Sequence, residues 1–195
     1  MNKKKIKKIA LGVSHSIILT ESGVLYSFGN NEYLQLGVNN SNIKIEEPLI
    51  VTDLLNYRIL DISSGDNHNV ALGLNRNNSY SNELESYNND ANFDKQIIFV
   101  WGSNEYNQCG QLKKEKFTSP VKLDLANIAV LNIAEVHLPF KIINYSKIKS
   151  VKCFKNVSSL NFGDLIYFTG QLPKYFQSAS HQLILSIKDY QFDDF

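Results

Sequence analysis

The side chains most specialised for proton transfer near neutral pH and for soft metal ligation are few: four histidines and two cysteines in 195 residues. His15 and His68 stand 53 positions apart, each three residues after a glycine, Gly12 and Gly65. A pair of imidazoles can act as metal ligands or as general base and acid. Either role needs further groups at fixed spacing, and no Ser, Asp or Cys stands with these two in a nucleophilic or metal-binding arrangement. Residues that recur inside a repeat usually serve the repeat, so both are read as structural hydrogen-bonding groups. His137 beside Glu135 is an isolated pair. Cys109 and Cys153 belong to no Cys-x-x-Cys pair, which excludes a zinc motif and a disulfide framework and reads as two reduced thiols of an intracellular protein. Glycines are plentiful, yet neither G-x-G-x-x-G nor G-x-x-x-x-G-K-[ST] occurs, so no phosphate cradle and no cofactor are implied. Catalysis has no anchor, and a non-enzymatic protein is expected.

The elements that position these residues are repeated. The stretch IALGVSHSIILTESGVLYSFGNNEYLQLG, Ile9 to Gly37, returns as ISSGDNHNVALGL from Ile62 and then, after an interruption, as IIFVWGSNEYNQCG ending at Gly110. Gly12 and His15 recur at an offset of 53, whereas Gly29 and Gly37 recur as Gly102 and Gly110 at an offset of 73. The extra 20 residues fall in one polar segment, about 75–95. Within a copy, Ser16 to Thr20 is a β-branched and apolar run, Glu21-Ser22-Gly23 is a turn signal, and Val24 to Phe28 is a second run, together a β-hairpin. Gly29 and Gly102 end a strand, where positive φ or close backbone approach calls for glycine. Arg58 to Ser63 reads as a strand leading into Gly65. Helical periodicity is absent, and the class is all-β.

A third, worn copy is read from Cys153 to Gly170, which repeats the 17-residue spacing of Gly12 to Gly29, with Tyr167 on the position of Tyr26 and Asn156 on that of His15. The link from Leu138-Pro139 resembles the one from Glu47-Pro48. The expected organisation is a single domain over 1–195: repeat 1 over 9–58, repeat 2 over 59–123 with the polar insert, repeat 3 over 138–177. SASHQLILS, with His181 on the position of His15, is either the trace of a fourth repeat over 178–187 or a chance likeness. The polar insert NRNNSYSNELESYNND is too polar to bury a core and reads as an extension of its hairpin. A second insertion, Lys113 to Val136, includes the apolar LANIAVLNIAEV and is free to add strands or a short helix.

Hydrophobic content of 43% with a net charge of +1 describes a folded chain with no global pull toward nucleic acid. No stretch is apolar enough for a membrane helix. Lys3, Lys4, Lys5, Lys7 and Lys8 precede an apolar run that superficially suggests a signal peptide, but Ser14, His15 and Ser16 interrupt it and the pattern returns internally. The lysines read as a solvated end, with a short import or nucleic-acid patch as the alternative.

At HSIILTESGVLYSFGNNEYLQLG and VWGSNEYNQCG the chain resembles the regulator of chromosome condensation repeat family. The matching positions are Leu11-Gly12, His15-Ser16, Gly23, Tyr26-Ser27-Phe28-Gly29, Asn31 and Gln35-Leu36-Gly37, then Gly65, His68, Val100-Trp101-Gly102, Asn104 and Gln108-Cys109-Gly110. The resemblance implies a β-propeller of four-stranded blades, here a partial one of about three blades with two insertions. Gly12, His15, Gly23, Gly29, Gly37, Gly65, His68, Trp101, Gly102, Gly110 and Gly170 are then repeat-structural residues, with Trp101, like Phe28, a core aromatic. An open arc leaves apolar faces and sheet edges that protein partners must cover. The expected function is a scaffold or protein-interaction module in the cytoplasm or nucleus, with no nucleic acid and no membrane. The alternatives are a guanine-nucleotide exchange factor or other regulator of a small GTPase, for which no residue is carried over, and a fragment of a larger propeller protein.

Overall fold

Alternation at period two builds the hairpins. In the run His15–Thr20, His15, Ile17 and Leu19 point to one side and are buried, while Ser16 and Ile18 point to the other and are half-buried. The structure, a computed structural model, describes residues 4–76, 96–110, 116–123, 148–163, 165–172 and 182–186. Among these residues lie three four-stranded antiparallel sheets, each a meander. The first contains β1 (Ile6–Leu11), β2 (His15–Thr20), β3 (Leu25–Asn30) and β4 (Lys44–Ile50). The second contains β5 (Tyr57–Ser64), β6 (His68–Asn75), β7 (Ile97–Gly102) and β8 (Phe117–Lys122). The third contains β9 (Ser150–Phe154), β10 (Val157–Asn161), β11 (Leu165–Gly170) and β12 (Gln182–Ser186). The opening strands β1, β5 and β9 pack side by side, so the sheets stand like blades around a common inner line.

Two cores fill the spaces between blades. Ile17, Leu19, Leu25 and Leu36 of the first meet Ile59, Ile62, Ala71, Phe99 and Trp101 of the second. Val70, Leu72, Ile98, Val100 and Cys109 of the second meet Val151, Leu160 and Tyr167 of the third. The middle sheet is therefore apolar on both faces, which is why β6 and β7 read as nearly continuous apolar runs. Pro48 and Pro120 both lie on outermost strands, where a missing N–H breaks no central ladder.

Several sequence expectations change here. Phe117–Lys122, inside the segment read as the second insertion, is the outer strand of the second blade. Residues 182–186, for which the sequence leaves a trace of a fourth repeat and a chance likeness both open, pair with β11 as the outer strand of the third blade. Lys4, Lys5 and Lys7 are exposed, as a solvated run should be, yet the run enters the first blade. Lys7 and Lys8 lie within β1, Lys7 donates to the Leu60 carbonyl at 2.6 Å, Lys8 pairs with Asp61 at 2.6 Å, and Lys4 reaches the Tyr26 hydroxyl. The polar insert begins after Arg76, which is held by the carbonyls of Leu55, Tyr57 and Ser22. The rest of that insert, most of the second insertion, the His137–Glu135 pair, Pro139 and His181 lie outside the described residues.

Candidate functional site at the blade seams and the open end face

The turn joining the first and second strands of a blade carries the Gly-x-x-His pattern. The backbone N–H of Gly12 donates to the His15 carbonyl, and that of Gly65 to the His68 carbonyl, both at 2.9 Å. Each imidazole then lies over its own glycine, in the space a Cβ would fill. From there it crosses the seam: His15 Nε2 donates to Asn69 Oδ1 at 2.8 Å, and His68 Nε2 meets Ser158 Oγ at 2.9 Å. Asn69 Oδ1 also accepts from Ser64 Oγ at 2.7 Å.

The loop after the third strand supplies the opposite side of the seam. Asn31 Oδ1 accepts from the Leu36 N–H and Gln35 Oε1 from the Tyr33 N–H, and Asn104 and Gln108 do the same for Cys109 and Tyr106. These buried amides fold the NNEYLQLG loop so that the Gln35 carbonyl faces the second blade. It accepts from Asn69 Nδ2 at 2.7 Å and from Trp101 Nε1 at 3.0 Å. Trp101 is thus a core aromatic with a polar tether. Gly37 sits against its indole, and Gly110 against Leu123. Gly29 and Gly102 adopt φ of 111° and 97°, and an added Cβ would lie 2.6 Å and 2.5 Å from the carbonyls of Ser14 and Asn67, so both features that favour glycine hold there. Gly23, Gly37, Gly110 and Gly170 also have positive φ, whereas at Gly12 and Gly65 a Cβ would meet the imidazole and a carbonyl of the next blade, Gly65 O at 2.9 Å and Lys155 O at 2.3 Å.

A third element joins the blades at the same turns. Val13 donates its N–H to the Asp66 carbonyl at 3.1 Å, and Asp66 donates its own to the Lys155 carbonyl at 2.9 Å. Val13, Asp66 and Lys155 occupy one position in successive blades. Their backbones form a one-way ladder along the arc.

The third blade departs from the pattern in a coupled way. Gly29 pairs with His15 and Gly102 with His68, but Gly170 pairs with Val157, and Phe154 is opposite Val157. Val157 and Phe154 therefore hold the positions of His15 and Gly12, which corrects the sequence assignment to Asn156 and Cys153. The reason is the β10–β11 turn. Leu160 pairs with Tyr167, seven positions on, where Ile18 pairs with Tyr26, eight positions on. Gly12 and Gly65 sit under an imidazole and against a carbonyl of the next blade, Gly65 O and Lys155 O; among the described residues Phe154 meets neither, and a side chain fits there.

Burial controls the titrating groups. It lowers the His15 imidazole below its ordinary value, against the opposing bond from Asn69. Burial first, and the nearby His15 second, bring His68 down to about 3. Each Nδ1 is buried with no partner among the described residues, so a second proton would be a buried charge without an acceptor there. Burial pushes the Cys109 thiol well up and the Cys153 thiol up to about 12, the latter despite bonds from Ser158 and Ser63. At neutral pH both imidazoles are therefore uncharged and sealed in the seams, and both thiols stay protonated, short of the thiolate that a nucleophile or metal ligand needs.

What remains open is the face of the first blade that looks away from the second. Register carries one apolar row across all four strands, Ile9–Ile18–Tyr26–Ile50, and a second row of Leu11–Ser16–Phe28. Ile9 is 51% exposed, Leu11 68% and Val13 73%. The same strand positions in the second blade, Ile62, Ala71, Phe99 and Trp101, are buried against a neighbour. Sequence reasoning listed the glycines and histidines but missed their cross-seam partners Asn69 and Ser158. The signal was the small polar residue directly after each of these positions: Ser16, Asn69 and Ser158.

Models of the regulator of chromosome condensation (RCC1) repeat match residues 22–72 and 6–35. Residues 6–72 carry RCC1 repeats. The kinase Nek9 of Xenopus laevis is 28% identical over 132 residues, 67% of this chain and 12% of that protein. The Caenorhabditis elegans homologue of the X-linked retinitis pigmentosa GTPase regulator is 31% identical over 114 residues, 58% of this chain and 7% of that protein. Among solved structures, human WBSCR16 superposes with a TM-score of 0.60 at 16% identity, over 95% of this chain and 39% of that one. Yeast RCC1 (Prp20), solved with Kap60, does so with a TM-score of 0.55 at 20% identity, over 96% and 37%. The RCC1-repeat fold here is a partial β-propeller. The chain spans about an eighth or less of these two relatives and under two fifths of the two solved chains.

Proposed function

We propose that this chain, folded as a single domain, is a protein-interaction module: a rigid arc of blades whose uncovered faces and edges hold protein partners and which performs no catalysis itself. The observation that carries this reading is the Ile9–Ile18–Tyr26–Ile50 row, apolar and open at strand positions that are buried in the next blade. The glycines, histidines and Trp101 named above serve the seams that keep the arc rigid. The repeat stretch shared with a kinase, a GTPase-regulator homologue and the human ubiquitin ligase HERC2 is a small fraction of each, which suits a docking unit better than a catalytic one. The setting is cytoplasm or nucleus, with neither nucleic acid nor membrane as partner.

A second reading, regulation of a small GTPase, is favoured by the relative named as a GTPase regulator and by a further structure of Saccharomyces cerevisiae Prp20p, described with its binding properties to Gsp1p and histones, over which this chain superposes with a TM-score of 0.57 at 19% identity. The two readings separate in one experiment. The purified chain and its Ile9→Lys variant are taken through affinity isolation from cells, and through fluorescent-nucleotide release from a panel of small GTPases. The interaction reading expects a defined complex that the substitution dissolves, with no acceleration of release. Acceleration at substoichiometric amounts would promote the second reading, and absence of any complex with the parent chain would overturn the first.

A further inference from the structure

We propose that Glu105 and Tyr106, on the β7–β8 loop of the second blade, form a receptor for a lysine side chain of a protein partner. This extends the interaction reading above to a second surface, which stands without the apolar face of the first blade.

The chain builds one loop twice and fills it once. Leu34 and Asn107 adopt φ of 60° and 59°, and Gly37 and Gly110 adopt 64° and 68°. The N–H groups of Tyr33 and Tyr106 each donate to a glutamine Oε1 at 2.8 Å. Leu34 donates its N–H to the Asn31 carbonyl at 2.9 Å, and Asn107 donates to the Asn104 carbonyl at 3.0 Å. The two Asn-Glu-Tyr stretches therefore share one backbone course and offer the same carbonyl beside the same ring. At the first loop a lysine of the next blade takes up that offer. Lys116, directly before β8, sets its Nζ 4.7 Å from the centroid of the Tyr33 ring and donates to the Glu32 carbonyl at 3.2 Å. At the second loop the Tyr106 ring is 40% exposed, and no cation stands over it among the described residues.

Elsewhere the chain covers its tyrosines in the same way. Lys4 lies 4.4 Å from the Tyr26 centroid and Lys122 lies 5.3 Å from that of Tyr57, while Tyr167 is buried. Among the described residues Tyr106 is the exposed tyrosine left without a lysine. An ammonium leaving water needs a π face and an oxygen acceptor in place of part of its hydration shell, and the loop holds both. Asn104, Asn107 and Gln108 are buried beneath it, so the receptor is already ordered and loses little freedom on binding. The exposed Glu105 carboxylate places negative charge next to the ring. The occupant of the first loop sets the chemistry of the ligand: a compact ammonium on a flexible stem. An exposed contact of this kind changes affinity by a factor of about two to five. The site therefore fixes the partner's orientation and leaves most of the affinity to other contacts.

The test titrates the full chain with a blocked five-residue peptide carrying one central lysine, and with its norleucine and arginine counterparts, followed by proton–nitrogen NMR. The variants Tyr106→Phe, Tyr106→Ala and Lys116→Ala are each checked for an unchanged melting transition. The lysine peptide should give saturable shifts at the Glu105 and Tyr106 amides of the parent. Tyr106→Phe should keep them, and Tyr106→Ala should weaken binding about two- to fivefold. Lys116→Ala should add a second saturable set at Glu32 and Tyr33, because it empties the first loop. Shifts that do not saturate, a norleucine peptide that binds equally, or Tyr106→Ala binding as the parent does would overturn the proposal. So would preference for the arginine peptide, or Lys116→Ala with no second set. Failure here leaves the complex formed through Ile9 in place, and loss of that complex leaves this titration unchanged.

Discussion

Acid should unfold this protein through His68, and the size of the effect follows from its place in the second seam. Burial, with His15 next in weight, brings the imidazole from an ordinary 6.5 to about 3. The folded chain therefore refuses a proton that the unfolded chain accepts below pH 6.5. Because the folded pKa is the lower one, stability is full above 6.5 and falls as pH drops toward 3. Between pH 7 and pH 5 the unfolded state gains about 1.4 units of proton binding free energy that the folded state does not, a loss of about 2 kcal/mol from this one residue. His15 acts in the same direction. The assay is urea unfolding at pH 7, 6 and 5 for the parent and for His68→Gln. Histidines common to both proteins cancel in the comparison. The substitution should lower stability at pH 7, because the bond to Ser158 is altered, and should flatten the pH dependence by about 2 kcal/mol. Parallel pH profiles for the two proteins would refute the claim that His68 is buried and neutral.

Three further outcomes follow from the same geometry. Gly12→Ala should destabilise by about 1–3 kcal/mol in the parent and by less in a His15→Val background, where the ring is gone and only the Gly65 carbonyl at 2.9 Å still crowds the Cβ; an additive double-mutant cycle would show that the two residues do not touch. Gly29→Ala and Gly102→Ala should each cost about 1–3 kcal/mol from positive φ and carbonyl contact, and more than Gly73→Ala, where the one contact under 3.0 Å is with the flexible end of the Ile59 side chain, as read by thermal melting. Deleting residues 77–92 should leave the melting transition in place, because Gly73 pairs with Ile97 and the strand ends already lie side by side.

The repeat was legible because its constraints are local. A glycine under an imidazole and an Asn and Gln that brace one loop recur at fixed spacing whatever surrounds them. The hairpins could likewise be read from β-branched runs and turn residues. The outer strands were harder, since Phe117–Lys122 contains Pro120 and lacks alternation, and an outermost strand has only one neighbour to satisfy. The third blade was misaligned by one because a turn one residue shorter moves every position before it, and counting back from Gly170 cannot detect where the residue was lost. The cross-seam bonds were not legible at all. Asn69 lies 54 positions from His15, and Ser158 lies 90 from His68; only the folded arc brings them together.

The native mass of the chain, taken directly from cells with and without Ile9→Lys, tests the central claim that the open first-blade face is a docking surface. The account predicts a defined assembly heavier than 22.2 kDa that the substitution dissolves. A monodisperse monomer, unchanged by the substitution, would contradict it.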